Sequence, residues 1–229
     1  MPTDNRRLLQ MLFDPRALWQ LVRDYVGAGR KRDQPINSRD DLAKFLDTRA
    51  SFVAQTSLYG YLRTRAGTRY PELFDDDAFV ESINVAKWQM WLACLSDLSI
   101  YAGGLLVQRS PDRASRMGEE MLEVVNGILV TQGTPPDAGP AFTEHAQRVR
   151  VRLAECEWPM VSDDETPFCE SPAALVTWAP IVDTLKQLDE EIVRNSVRFR
   201  WQEVRRDLRR LLEAGTLCDT DGPAATHNA

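Results

Sequence analysis

Apolar residues recur along this chain at steps of three and four rather than in alternation, which is the signature of helix faces and not of strands. Asp14-Pro15 supplies a cap and a first-turn proline, and Leu18, Leu21, Val22 and Tyr25 repeat until Gly27 and Gly29, predicting a helix near 15–28. After the polar stretch GRKRDQPIN, Ser38 caps a pattern running through Leu42, Phe45, Arg49, Phe52, Thr56, Tyr59 and Arg63. That pattern predicts a helix over 38–69, ending before Pro71. Asp75, Asp76 and Asp77 then place negative charge where a new helix begins, and the apolar pattern carries that helix over 77–109.

Further helices are predicted from Ser110-Pro111 to about Thr131, from Pro140 to Glu157, and from Ser171-Pro172 onward. Between the last two, residues 155–170 hold six acidic and no basic residues and read as a solvated acidic loop. From Pro180 a long helix to Gly215 carries Leu185, Leu188 and Ile192, then Val197, Trp201, Val204, Leu208 and Leu211. The five-residue step from Ile192 to Val197 breaks the phase, so this helix is expected to change partner along its length. The expected fold is an all-α, single-domain bundle of about six or seven helices. It is built around a long antiparallel hairpin (38–69/77–109) and closed by 180–214. The domain is expected over 1–215, with a disordered tail over 216–229.

Composition adjusts this picture modestly. A net charge of −6 lacks the global basic field of a non-specific nucleic-acid binder. Four widely spaced cysteines form no CxxC, and no small-residue cleavage site follows the first apolar run, so reduced thiols and a cytoplasmic setting are expected. The run WQMWLACLSDLSIYAGGLLV is long enough to span a membrane, but Asp97 at its middle makes a buried central helix the expectation. Gly103-Gly104 and Gly60 are expected to let helices approach closely.

Candidate chemistry is sparse. With His145 and His227 the only histidines, neither paired Glu-x-x-His nor HExxH is present, and Walker A, GxGxxG and GxSxG motifs are also missing. No catalytic residues, metal site or cofactor are expected. His145 reads as a surface histidine, Cys94 as a core residue, and Cys156 and Cys169 as thiols of low reactivity beside acidic charge. A hairpin turning near Leu73 sets Asp97 opposite Arg49 and Lys87 near Tyr59, giving a polar seam of Arg49, Tyr59, Arg63, Lys87 and Asp97. That seam is either a structural ion pair or the wall of a pocket for an anionic ligand. A second candidate surface is the arginine-rich last helix, with Arg198, Trp201, Arg205 and Arg209 as partner-binding residues; interleaved acids favour a salt-bridge-laced face there.

The expected function is a non-catalytic cytoplasmic helical module for protein–protein interaction or assembly. The alternative is a small-molecule or lipid-binding helical protein, hydrolase activity included, using the polar seam. A protein partner is expected, an anionic small molecule or lipid is the alternative, nucleic acid is disfavoured, and no membrane span is expected.

Overall fold

A computed structural model describes residues 34–213, and over these the protein is all-α and forms a single domain. The expected helix at 15–28 and the expected tail at 216–229 lie outside the described residues. Six α-helices follow one another: α1 (Arg39–Ala66), α2 (Asp77–Arg109), α3 (Met117–Gln132), α4 (Phe142–Ala154), α5 (Glu170–Trp178) and α6 (Asp183–Leu211).

Local chemistry sets most of these boundaries. The Ser38 hydroxyl accepts the backbone N–H of Asp41 at 3.1 Å and opens α1, while Gly67, at φ 56°, ends it. Residues Gly67–Asp75, Pro71 among them, continue as 3₁₀ turns. The Asp76 carboxylate then accepts Ala78 and Phe79 N–H groups and caps α2, so the aspartate triplet serves a helix start. Ser110-Pro111 opens only a 3₁₀ turn, Pro111–Arg113, where a continuous helix to Thr131 is expected. The interruption drops Arg113 into the interior, where it is paired with Glu120.

α2 is the central element. Its most apolar 18-residue window is 94% buried inside the domain, so a helix long and apolar enough to cross a membrane is here covered by protein. α1 packs along α2, and Trp91 of α2 donates its Nε1–H to Asp47 of α1 at 3.0 Å. α4 and α5 cover other faces of α2, Trp91 stacking on Phe142 with ring centroids 6.4 Å apart. α6 lies against α1 and α5. At the far end, Ile36 accepts the N–H of Glu213 and donates its own to the Leu211 carbonyl at 2.8 Å. Arg109 closes α2 and caps α6 at once, its Nη2 donating to the Arg209 carbonyl at 2.6 Å.

The segment between α4 and α5 corrects the reading of a solvated acidic loop. Trp158 and Phe168 are buried within it, and Phe168 packs between Tyr101 and Trp201 at 5.1 and 4.7 Å. The loop therefore supplies apolar anchors to the core, while Glu155, Glu157, Asp164 and Glu165 stay exposed. The glycines of α2 serve this segment: a Cβ on Gly103 would sit 2.3 Å from the Trp158 ring, and one on Gly104 would sit 2.3 Å from Val161. Gly60 likewise makes room for the Arg200 side chain. The close approaches are thus side chain to backbone, not helix to helix.

Gly103→Ala is expected to lower stability by about 1–3 kcal/mol in denaturant unfolding, since the ring of Trp158 must move. Trp158→Leu in the same chain should make the glycine substitution cheaper, and additive losses would contradict the packing.

Candidate functional site

The most concentrated polar chemistry surrounds Asp97, on the buried face of α2 and without solvent exposure. Its Oδ1 accepts Arg152 Nη1 from α4 at 2.7 Å and the Glu170 N–H at 3.1 Å. Its Oδ2 accepts the Ser171 N–H at 2.8 Å and the Ser171 hydroxyl at 2.7 Å. Asp97 thus caps the N-terminus of α5 from another helix, a favourable place for negative charge. The Ser171 oxygen in turn accepts Trp201 Nε1–H of α6 at 2.9 Å, extending the network to a fourth helix.

Arg152 distributes its remaining donors to Ser96 at 2.8 Å, to the Pro167 carbonyl at 2.9 Å and to the Cys169 sulfur at 3.4 Å. Glu170 lies 3.0 Å from its Nη1. Burial raises the Asp97 carboxyl above the usual carboxylate range, while Arg152 and the Ser171 donors pull it back. Burial also acts on Arg152 itself, but its carboxylate neighbours more than offset that and raise its pKa.

The expected Arg49–Asp97 pair is therefore replaced by two separate ones. Arg49 instead donates to Asp207 of α6 at 3.1 Å. The reason is packing order: α1 presents Arg49 to α6, while α2 turns Asp97 toward α4 and α5, which a two-helix register could not represent. Lys87 pairs with Asp137 at 3.2 Å and lies over the Trp88 ring. Burial, with Tyr70 and Asp137 nearby, pushes the Tyr59 hydroxyl up to about 12, so Tyr59 and Lys87 share the surroundings of Asp137. Arg63 is exposed near the C-terminus of α1. The five predicted residues are thus not one site.

The last helix is also redistributed. Trp201 is a core residue, 1% exposed, rather than a partner contact. Arg209 reaches back to Asp163 at 2.7 Å, and the Arg205 and Arg209 guanidinium groups lie against the Tyr101 ring. Asp163 also accepts the Tyr101 hydroxyl at 2.5 Å, so these arginines pin the 155–170 segment to α2 and α6. Burial opposes ionisation of Asp163, but Arg209 and Tyr101 outweigh it and hold the carboxyl below its ordinary value. Arg194 pairs with Glu190 and Arg210 with Asp207, as a salt-bridge-laced face requires. Of the four partner-binding candidates only Arg198 remains on the outer surface, its Nη1 donating to Asn195 at 3.2 Å.

The remaining reactive groups are similarly engaged. His145 is half-buried, with Nδ1 against the Gln89 amide oxygen and its ring 5.5 Å from Trp178; burial and Arg148 lower its pKa. Cys94 is fully buried, and burial raises the thiol pKa of Cys94, Cys156 and Cys169 alike, more than their acidic neighbours do. An open cleft of 1160 Å³ beside α4 is lined by Ile100, Thr143, Arg148, Arg152, Glu155 and Cys156. Arg148 is bound to Glu144 there and Arg152 to Asp97, so neither presents an uncommitted fork for an anion.

Sequence reasoning missed Arg152, Ser171 and Asp163. Ser171-Pro172 did read as a helix start, which is the one signal that could have sent a search for its buried capping carboxylate.

Removing one partner of the buried pair should be costly: Asp97→Leu is expected to lose about 3–5 kcal/mol in denaturant unfolding, and adding Arg152→Met should recover part of that loss. Arg49→Met should cost roughly 1 kcal/mol and add independently to Asp97→Leu; a coupling above about 0.5 kcal/mol would contradict the separation of the two pairs. Because the folded pKa of Asp163 is depressed, its contribution is present above the unfolded carboxyl pKa and is lost as pH falls through the folded value. Asp163→Asn should therefore destabilise at neutral pH by at most about 1 kcal/mol, given solvent screening of this part-exposed pair, with the deficit vanishing in acid. Set against known protein families, curated proteins and solved structures, the chain shows no match to any of them.

Proposed function

We propose that this chain is a non-catalytic helical protein–protein interaction module, working in the cytoplasm through the outer face of α6. The observation that carries this reading is an apolar stripe on that face. Leu188, Ile192 and Phe199 are 76%, 74% and 72% exposed, with Asn195 between them at helical spacing. Large side chains aligned on one face and left in water favour burial against another surface, each contributing on the order of 1.5–3 kcal/mol when fully covered. Arg198 borders the stripe, keeping one of the residues expected to contact a partner. The commitment of Asp97, Arg49, Arg152 and Lys87 to internal pairs weighs against the ligand-binding alternative. Free thiols at Cys94, Cys156 and Cys169 suit a reducing compartment.

Native mass spectrometry of the protein gently purified from its own cells distinguishes these readings. The expected spectrum contains a complex heavier than the chain by a whole polypeptide, absent for the double variant Ile192→Asp/Phe199→Asp. A bare monomer, or a monomer retaining a small molecule that survives the double substitution, would count against the interaction module.

A further inference from the structure

α6 carries two stripes on opposite sides. Val193, Val197, Trp201, Val204, Leu208 and Leu211 form the buried one, facing the domain. Leu188, Ile192, Asn195 and Phe199 step by four, three and four residues on the opposite side, which is the spacing of a two-helix seam. Glu191 and Arg198, seven residues apart and both exposed, lie on the same flank of that seam.

This arrangement is complementary to itself when reversed. We infer that the occupant of the α6 outer face is a second copy of this chain, packed antiparallel along α6 about a two-fold axis between Val193 and Arg194. This rests on the interaction reading above and names its partner. In this register Leu188 meets the second copy's Phe199, and Ile192 meets the second copy's Asn195, each contact occurring twice by symmetry. Glu191 then faces the second copy's Arg198, again twice, so the flank carries opposite charges at both ends. A parallel pair lacks this complementarity: it would set Arg206 against its own copy and Glu191 against Ser196. The seam is short, so the dimer belongs to the weak, concentration-dependent class.

Sedimentation velocity of the full chain, from low micromolar to near-millimolar protein, tests the geometry. The wild type should pass from monomer to dimer over that range. Glu191→Arg and Arg198→Glu should each weaken self-association by about fivefold or more, because each turns two attractive contacts into repulsive ones. An equimolar mixture of the two variants should recover dimer, since every flank contact between unlike chains is again opposite in charge. Ile192→Asp/Phe199→Asp should remain monomeric with unchanged helical circular dichroism, showing that the fold survives.

A wild type that stays monomeric throughout, a dimer indifferent to the apolar substitutions, or variants that fail to recover on mixing would each overturn the inference. If the purified chain is monomeric while the complex from cells contains a different polypeptide lost with the double aspartate variant, self-association falls and the interaction module stands.

Discussion

A single fully buried carboxylate governs how this bundle closes. Asp97 can occupy the interior only with its oxygens satisfied, because an uncompensated charge there costs several kcal/mol. Its donors come from α4, as Arg152, and from the first turn of α5, as the Glu170 and Ser171 N–H groups and the Ser171 hydroxyl. Ser171 passes the constraint to Trp201 of α6. Four helices are therefore placed by one side chain, and an apolar residue at position 97 would leave the start of α5 without its cap.

The same economy shapes the 155–170 segment. Trp158 and Val161 fit against Gly103 and Gly104, where a Cβ would force them to move, and Phe168 enters the aromatic stack of Tyr101 and Trp201. Asp163 then locks the segment through Tyr101 and Arg209. Several basic side chains that could have contributed to a field for a nucleic-acid backbone, Arg49, Arg152, Arg194, Arg209 and Arg210 among them, are instead paired with carboxylates within the domain. Among the described residues, Leu188, Ile192 and Phe199 stay exposed on one side of α6, with Glu191 and Arg198 on a common flank.

Helix positions were legible in the sequence because their causes are local. Ser38, Asp76 and Gly67 act on backbone groups within a few residues, and three-four periodicity depends only on helix geometry, so α1 and α2 fall where predicted. The central burial of α2 was also legible, since an apolar run holding one carboxylate suits a protein interior better than lipid. Less was legible in the acidic segment, where charge density masked Trp158 and Phe168; burial of those rings depends on gaps that glycines open on a distant helix.

The polar partners were not legible, for a geometric reason. A two-helix register sets Arg49 opposite Asp97, but each helix in a bundle has several contacting faces, and Arg49 meets α6 while Asp97 meets α4 and α5. Likewise, the sequence shows that α6 changes phase after Ile192, yet periodicity cannot say which stripe faces inward. The sequence by itself determined the helices, the caps at Ser38 and Gly67 and the phase break in α6, because each follows from interactions within one segment. Only the tertiary structure decided which carboxylate holds which arginine, which stripe is buried and which remains in water, because those depend on contacts between segments far apart along the chain.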